Sequence, residues 1–226
     1  MNPSAPLPQF PVFFRLQKRL CVVVGSGHVG RRKALALGDA GARVRIIGPE
    51  AGRPATGDCE IIERPYRAGD LAGAFLAFAA TDDRRVNAAV AAEAKAAGIP
   101  VNVADAPEDS DFFLPAQLHR GDLSLAVSTG GRSPAFAAAV RDRLAGVIGP
   151  EWELALAIAA ALRQKKLTLQ PETEYNSAVL LRLLEGNLPA LLASGETADV
   201  DRLLANLAGE GCSLANLGIC LSKGET

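Results

Sequence analysis

The feature that most constrains this chain is an apolar strand that runs directly into a glycine-rich turn. Residues 20–24 are all apolar, as in a strand buried on both faces of a parallel sheet, and a glycine follows at once. The G-x-G-x-x-G spacing permits a tight turn, close approach of a pyrophosphate and close packing of a helix on the strand. A purely structural turn is the alternative. The residues predicted to bind a dinucleotide here are Gly25, Ser26, Gly27, His28, Val29 and Gly30.

Apolar runs that alternate with helical patterns predict an α/β fold with a Rossmann-type parallel sheet. The predicted elements of this part are strands at 20–24, 43–47, 61–64, 75–80 and 99–103 and helices at 29–40 and 83–97. The composition changes near residue 115, and Pro134 suits the first turn of a later helix. The predicted elements of the second part are a strand at 123–128 and helices at 135–144, 151–165, 177–184, 188–193 and 198–207. We therefore expect a Rossmann domain over 1–115 and a smaller α-rich domain over 116–226.

The composition excludes several classes of protein. The 226 residues are 49% hydrophobic with a net charge of -1, which is typical of a globular chain and gives no overall attraction for nucleic acid. The four cysteines form no C-x-x-C pair, so neither a zinc site nor a redox motif is indicated. The first residues lack the features of a secretion signal, and no apolar run is as long as a membrane span. We expect a cytoplasmic protein with reduced thiols that binds neither nucleic acid nor membranes.

Further dinucleotide contacts are expected after the second and fourth strands. Glu50 lies 20 positions beyond Gly30, the distance at which an acid commonly binds the adenosine ribose. Because a Gly-Pro pair separates Glu50 from its strand, backbone contacts from Pro49 and Glu50 are one alternative, and a solvated loop acid is another. Thr81 is expected to touch the cofactor or to cap the next helix, and Asp83 mainly to cap it.

Three basic residues, Arg31, Arg32 and Lys33, open the first helix. They suit the 2′-phosphate of NADP, an anionic substrate or a solvated surface equally well. NAD is the predicted cofactor, with NADP as the alternative.

A single carboxylate, Asp105, follows the strand predicted at 99–103. Ligands of open α/β sheets bind beyond the carboxyl ends of the strands, so an acid at this point can reach both a dinucleotide and a substrate. A carboxylate beside a nicotinamide is a suitable base for the proton that accompanies hydride loss. Asp105 is therefore the predicted catalytic residue, and a turn residue before Ala106-Pro107 is the alternative.

Five blocks of sequence, in this order, resemble the siroheme synthase N-terminal family. The blocks are Gly25–Lys33, Ala79–Asp83 with Val86-Asn87, Asn102–Asp105, Phe113–Ala116 and Ser128–Pro134, within roughly residues 10–145. Members of this family are precorrin-2 dehydrogenases, and some also insert iron into sirohydrochlorin. The resemblance implies oxidation of precorrin-2 to sirohydrochlorin by NAD⁺. It also implies that Asp105 serves both reactions, with Fe²⁺ as a substrate and no resident metal.

The resemblance further implies a substrate site and a homodimer. Precorrin-2 carries many carboxylates, which suit the backbone N–H groups of a Thr-Gly-Gly turn and the guanidinium beside it, although a structural turn is the alternative. In the family the segment after the Rossmann domain forms the dimer, so residues 123–127 and 133–144 are expected at an interface and 116–226 forms a dimerisation domain. The predicted substrate contacts are Asn102, Ser128, Thr129, Gly130 and Arg132.

The chain departs from the family pattern at two places. The family usually has alanine where Gly30 stands, a difference expected to be harmless because alanine also permits close helix packing. From Glu151 onward, acidic Leu-rich helices replace the basic, aromatic helical tail of many members. Two rival functions are therefore kept: an NAD-binding redox or metabolite sensor without catalysis, and a structural dimerisation protein that binds no nucleotide.

Overall fold

The computed structural model describes residues 9–49, 58–169 and 177–220, and its first part is an open sheet of five parallel strands. The strands are β1 (Leu20–Val24), β2 (Arg43–Ile47), β3 (Cys59–Ile62), β4 (Leu76–Ala79) and β5 (Val101–Val103). Their spatial order is β3-β2-β1-β4-β5, so the order reverses between β1 and β4. In open α/β sheets this switch point is where ligands bind, beyond the carboxyl ends of the strands. The predicted Rossmann-type parallel sheet is confirmed.

Two helices, α1 (His28–Asp39) and α2 (Arg84–Ala96), flank this sheet. Successive side chains of a strand point to opposite faces. In β1, Cys21 and Val23 belong to the hydrophobic cluster that includes residues of α1, whereas Val22 and Val24 belong to the cluster that includes residues of α2. All four are at most 1% exposed, which explains why β1 has no polar residue.

The second part begins with an antiparallel hairpin. Its strands are β6 (Ala116–Arg120) and β7 (Leu123–Val127), followed by α3 (Pro134–Ala145). The sequence analysis missed β6, because Leu118 is the only buried residue of this short strand. Pro134 does lie in the first turn of α3, as predicted.

Four further helices pack around a core of their own. They are α4 (Glu151–Leu169), α5 (Ser177–Glu185), α6 (Leu188–Ser194) and α7 (Thr197–Ala208). Ile158, Leu183, Val200 and Leu204 are at most 1% exposed and form the centre of this core. The α-rich character expected beyond residue 116 is therefore observed.

The described residues divide into two compact units. The first runs to Leu114 and also includes Gly130–Arg132, and the second comprises Pro115–Thr129 and the residues from Ser133 onward. Among the helices of these described parts, none combines the length and apolar character needed to cross a membrane.

Candidate functional site

The glycine turn brings the carboxyl ends of β1, β2 and β4 together. Gly25 has a φ of +118°, and a Cβ added there would lie 2.1 Å from the carbonyl oxygen of Ala80. The N–H of Gly25 donates to the carbonyl of Ile47 at 2.8 Å, and the N–H of Ala80 donates to the carbonyl of Val24 at 2.7 Å. Glycine is therefore required at this position both by the backbone conformation and by the neighbouring strand.

Gly30 lies directly against the same turn. A Cβ at Gly30 would lie 2.0 Å from the carbonyl oxygen of Gly25, so a methyl group cannot be added unless α1 moves away from β1. The expectation that alanine at this position is harmless is wrong for this backbone. The third glycine of the motif sets the spacing between helix and strand, as the fingerprint predicts.

The N-terminus of α1 has the features of an anion site. Gly27 is its N-cap, no side chain caps the first N–H groups, and the first turn contains no acidic residue. A Cβ at Gly27 would meet no atom within 4 Å, and His28 and Val29 are exposed. Uncapped N–H groups and the positive end of the helix dipole suit a pyrophosphate, so these residues fit a dinucleotide.

Gly48, directly after β2, lies against the glycine turn, although the sequence analysis did not include it in the site. A Cβ at Gly48 would lie 2.5 Å from the Ser26 hydroxyl oxygen, so the residue after β2 must be small for Ser26 to keep its place. The sequence signal that could have identified Gly48 is a glycine directly after the second predicted strand. Pro49 is exposed, and Glu50 lies outside the described residues.

The basic residues of α1 are engaged near the turn and the sheet. Arg31 Nε donates to the carbonyl oxygen of Ser26 at 2.8 Å. Lys33 Nζ donates to Asn102 Oδ1 at 2.7 Å and lies 5.5 Å from the centre of the Phe78 ring. Burial, and then the neighbouring Arg32, lower the pKa of Lys33.

Asn102, predicted to contact substrate, lies on β5 and is 6% exposed. Its Oδ1 accepts from Lys33, and its Nδ2 donates to the carbonyl of Phe112 at 2.9 Å. The amide therefore links α1, β5 and the segment that follows β5.

Asp105 belongs to a hydrogen-bond network that joins the ends of β4 and β5. Asn87 Nδ2 donates to Asp105 Oδ1 at 2.7 Å and to the carbonyl of Thr81 at 3.0 Å. Asn87 Oδ1 accepts from the Thr81 N–H at 3.1 Å and lies 2.7 Å from the Thr81 hydroxyl. Asn87 was part of the quoted sequence pattern but was not predicted as a site residue.

The remaining side of the Asp105 carboxylate is accessible. Its side chain is 32% exposed, and Oδ2 lies 3.4 Å from Nε of Arg84, whose side chain is 83% exposed. Asp83 caps α2 by accepting from the N–H of Arg85 at 2.8 Å, as predicted, and this hydrogen bond lowers its pKa. Asp105 therefore combines one fixed oxygen with one that solvent or a ligand can reach.

The predicted Thr-Gly-Gly turn precedes α3. Gly130 and Gly131 have φ values of +63° and +78°. Thr129 Oγ1 accepts from the N–H of Ser133 at 3.1 Å, and Ser133 Oγ caps α3 by accepting from the N–H of Phe136 at 3.2 Å. Two successive left-handed residues explain why both positions are glycine.

The other predicted contacts of this segment are exposed. Ser128, Gly130 and Arg132 are all accessible to solvent.

Across 9–49, 58–169 and 177–220, no group of three or more His, Cys, Asp and Glu side chains is arranged to hold a metal ion. The four cysteines form no disulfide, and burial raises the pKa of the Cys21 thiol to about 11. A buried thiol with a raised pKa is a poor nucleophile.

Comparisons with known proteins agree with this geometry. A family model described as NAD(P)-binding matches residues 12–116, and a model described as sirohaem biosynthesis protein central matches residues 120–146. The first unit is thus a nicotinamide-nucleotide-binding domain.

Curated relatives share both parts of the chain. A siroheme synthase of Pseudomonas aeruginosa is 38% identical over 205 residues, which cover 88% of this chain and 44% of that protein. A siroheme synthase of Azotobacter vinelandii is 37% identical over 207 residues, with the same two shares. The chain therefore spans less than half the length of these relatives.

A solved structure shares the fold. The structure of SirC, precorrin-2 dehydrogenase, is similar with a TM-score of 0.68 and 22% sequence identity, covering 86% of this chain and 98% of that one. Two family models in series, curated relatives over most of the chain and a shared fold lead to one assignment. The chain belongs to the siroheme synthase N-terminal family.

Proposed function

We propose that this chain oxidises precorrin-2 to sirohydrochlorin with NAD⁺. The observation that carries the proposal is the Asp105 carboxylate, which is fixed through one oxygen and accessible through the other, next to the strand that meets the glycine turn. The names of the siroheme synthase relatives and of the SirC structure support the choice of substrate.

The reaction removes one hydride and one proton from the tetrapyrrole. When bound, the nicotinamide supplies the acceptor for the hydride. Asp105 accepts the proton through Oδ2, because Oδ1 already accepts a hydrogen bond from Asn87. The ion pair between Arg84 Nε and Oδ2 is 3.4 Å long and the Arg84 side chain is 83% exposed, so little energy is needed to break it as a substrate arrives.

The cofactor is held mainly by the backbone of the glycine turn. In this proposal the N–H groups of residues 26–29 bind the pyrophosphate, Pro49 lies toward the adenosine ribose, and Thr81 lies toward the nicotinamide. NAD is preferred to NADP because the Arg31 guanidinium is already bonded to the carbonyl of Ser26.

The substrate carboxylates are assigned to the turn before α3. Gly130 and Arg132 are exposed, and a glycine turn and a guanidinium both suit carboxylates. We propose Ser128 and Thr129, which precede Gly130, as further contacts. Asn102 contributes by orienting Lys33, since its own amide is buried and bonded.

The second part of the chain is proposed to form a homodimer in the cytoplasm. Residues 1–115 would bind the nucleotide, and 116–226 would contain the interface. Within the described residues β6 and β7 form a sheet of only two strands, so each has an edge with no neighbouring strand, and such edges can pair with another chain. Phe136 on α3 is 63% exposed. Light scattering should give twice the chain mass, and Phe136→Glu should give the mass of one chain.

The decisive experiment supplies anaerobic precorrin-2 with NAD⁺ or NADP⁺ and follows the absorbance of reduced nicotinamide and of sirohydrochlorin. We expect equal amounts of both products and faster turnover with NAD⁺. Fe²⁺ added afterwards tests iron insertion through the tetrapyrrole spectrum. Stoichiometric NAD⁺ binding without turnover would establish the sensor instead, and absence of nucleotide binding would establish the structural protein.

A further inference from the structure

We propose that Asn87 is a positioning residue that fixes the Asp105 carboxylate and couples it to the loop that begins at Thr81. The inference rests on the proposed dehydrogenase function and assigns a role to a residue that the proposed site does not include.

Asn87 occupies a position where a polar side chain is costly. It lies on the buried face of α2 with Val90 and Ala94, and it is 1% exposed. An amide in such a place destabilises the fold unless its donors and acceptor all find partners. Here both N–H groups and the oxygen are engaged, so the network is complete.

The backbone of Thr81 determines which way the amide points. The Thr81 N–H can only donate, so Oδ1 must face it, and the Thr81 carbonyl can only accept, so Nδ2 must face it. The second hydrogen of Nδ2 is then directed at Asp105 Oδ1, 2.7 Å away. The orientation of the Asp105 carboxylate follows from hydrogen bonds made at the end of a different strand.

This arrangement matters because Asp105 itself lies outside regular structure. The carboxylate follows β5 and is 32% exposed, so it would otherwise rotate freely. A catalytic group that loses its orientation costs roughly 100-fold in rate. The same amide also holds the Thr81 hydroxyl and N–H, so one side chain sets the ends of β4 and β5 together.

A purely structural role would make Asn87 only a clamp for the turn at Thr81. The two roles differ in whether a change at Asn87 depends on the residue at position 105. Exchanging the two side chains tests this dependence, because Asn87→Asp places two carboxylates against each other, whereas Asn87→Asp with Asp105→Asn restores an amide donor between them.

The experiment compares Asn87→Asp, Asp105→Asn and the double variant. The measurements are kcat and KM in the dehydrogenase assay, the NAD⁺ dissociation constant by calorimetry, and the thermal unfolding midpoint. Ala88→Asp is the matched control, because it adds the same charge at the next, exposed position of α2.

We expect Asn87→Asp to lower kcat about 100-fold, with the NAD⁺ dissociation constant within about threefold of the original. When Asp105 is already Asn, adding Asn87→Asp should lower kcat no further. The double variant should also unfold at a higher midpoint than Asn87→Asp alone. Ala88→Asp should change neither kcat nor the unfolding midpoint.

Three results would overturn the inference. Asn87→Asp with unchanged kcat would do so, and so would independent effects of the two substitutions on the midpoint. A parallel loss of kcat and NAD⁺ affinity would reduce Asn87 to a structural clamp. If the unaltered chain binds NAD⁺ but does not oxidise precorrin-2, the proposed function itself fails, and the midpoints still report whether the two side chains are coupled.

Discussion

Two carboxylates at opposite edges of the sheet are held in different ways. Glu93, on α2, accepts from the Tyr66 hydroxyl and from the N–H groups of Gly69 and Leu71, the last two at 2.9 and 3.0 Å. Asp105, after β5, accepts one amide N–H and faces one exposed guanidinium. The saturated carboxylate secures a loop, whereas the partly engaged one retains an oxygen for chemistry.

The electrostatics of the Glu93 edge indicate a stabilising role. Burial alone would raise the pKa of Glu93, but the donated hydrogen bonds lower it overall, and the pKa of Tyr66 rises. On the same loop, Arg64 makes two hydrogen bonds of 2.7 Å to Asp70, and these lower the pKa of Asp70. The amino edge of the sheet therefore favours stability, and the carboxyl edge favours ligand access.

Asp105→Ala should produce the largest effect on catalysis and only a modest loss of stability. Removal of the base should lower kcat about 1,000-fold. The lost ion pair with the exposed Arg84 costs little, but the buried Asn87 amide loses its Asp105 partner, so the free energy of unfolding should fall by about 1–2 kcal/mol. Steady-state rates and thermal unfolding check both statements, and an active variant would remove Asp105 from the mechanism.

Gly27→Ala should weaken nucleotide binding without affecting stability. The added methyl meets no protein atom within 4 Å, but it occupies the space assigned to the pyrophosphate. We expect the NAD⁺ dissociation constant to rise about 30-fold, or about 2 kcal/mol. Calorimetric titration measures this change, with Ala36→Val, at an exposed position later on α1, as the control. Unchanged affinity would place the pyrophosphate elsewhere.

Unlike Gly27→Ala, Glu93→Gln should affect stability alone. Loss of charged hydrogen bonds should lower the free energy of unfolding by about 1.5 kcal/mol at neutral pH, with kcat unchanged. Because the folded-state pKa of Glu93 is lowered, its contribution is present above the unfolded value of about 4.3 and is lost as pH falls through the folded value.

Denaturant unfolding at a series of pH values tests this sign. The difference between the two proteins should shrink as the pH falls below the unfolded-state value of about 4.3, because the unfolded chain then binds the proton more readily than the folded one. An equal difference at acidic and neutral pH would show that the charge of Glu93 is not what stabilises the loop.

Arg132→Gln should give the smallest of these effects. If the substrate site extends to the turn before α3, loss of one exposed guanidinium should raise the KM for precorrin-2 about fivefold, with NAD⁺ affinity unchanged. Initial rates at varied precorrin-2 measure this change. An unaltered KM would confine the substrate contacts to other residues.

Local sequence signals predicted the parts of the fold that depend on local physics. The β1 strand and its glycine turn followed from a continuous apolar run and a spacing rule, and Pro134 marked the start of α3. The β6 strand was missed because only Leu118 of its five residues is buried. A short strand with one buried residue has little periodicity to detect.

The sequence predicted where the candidate site lies but not which of its side chains hydrogen-bond to one another. Asp105 and the glycine turn could be placed at the sheet edge from strand order, but Lys33 and Asn102 are 69 positions apart and nothing local joins them. Asn87 left one weak signal, a polar residue on the helix face that carries Val90 and Ala94. Such contacts depend on tertiary structure, which a local pattern does not encode.

The contact between Gly30 and the Gly25 carbonyl has a consequence for relatives of this chain. There is no room for one methyl group at that contact, so any relative with alanine at this position must hold its first helix farther from its first strand. The N–H groups that open the helix would move outward with it. Superposed structures of such relatives should therefore differ in how deeply a bound pyrophosphate lies.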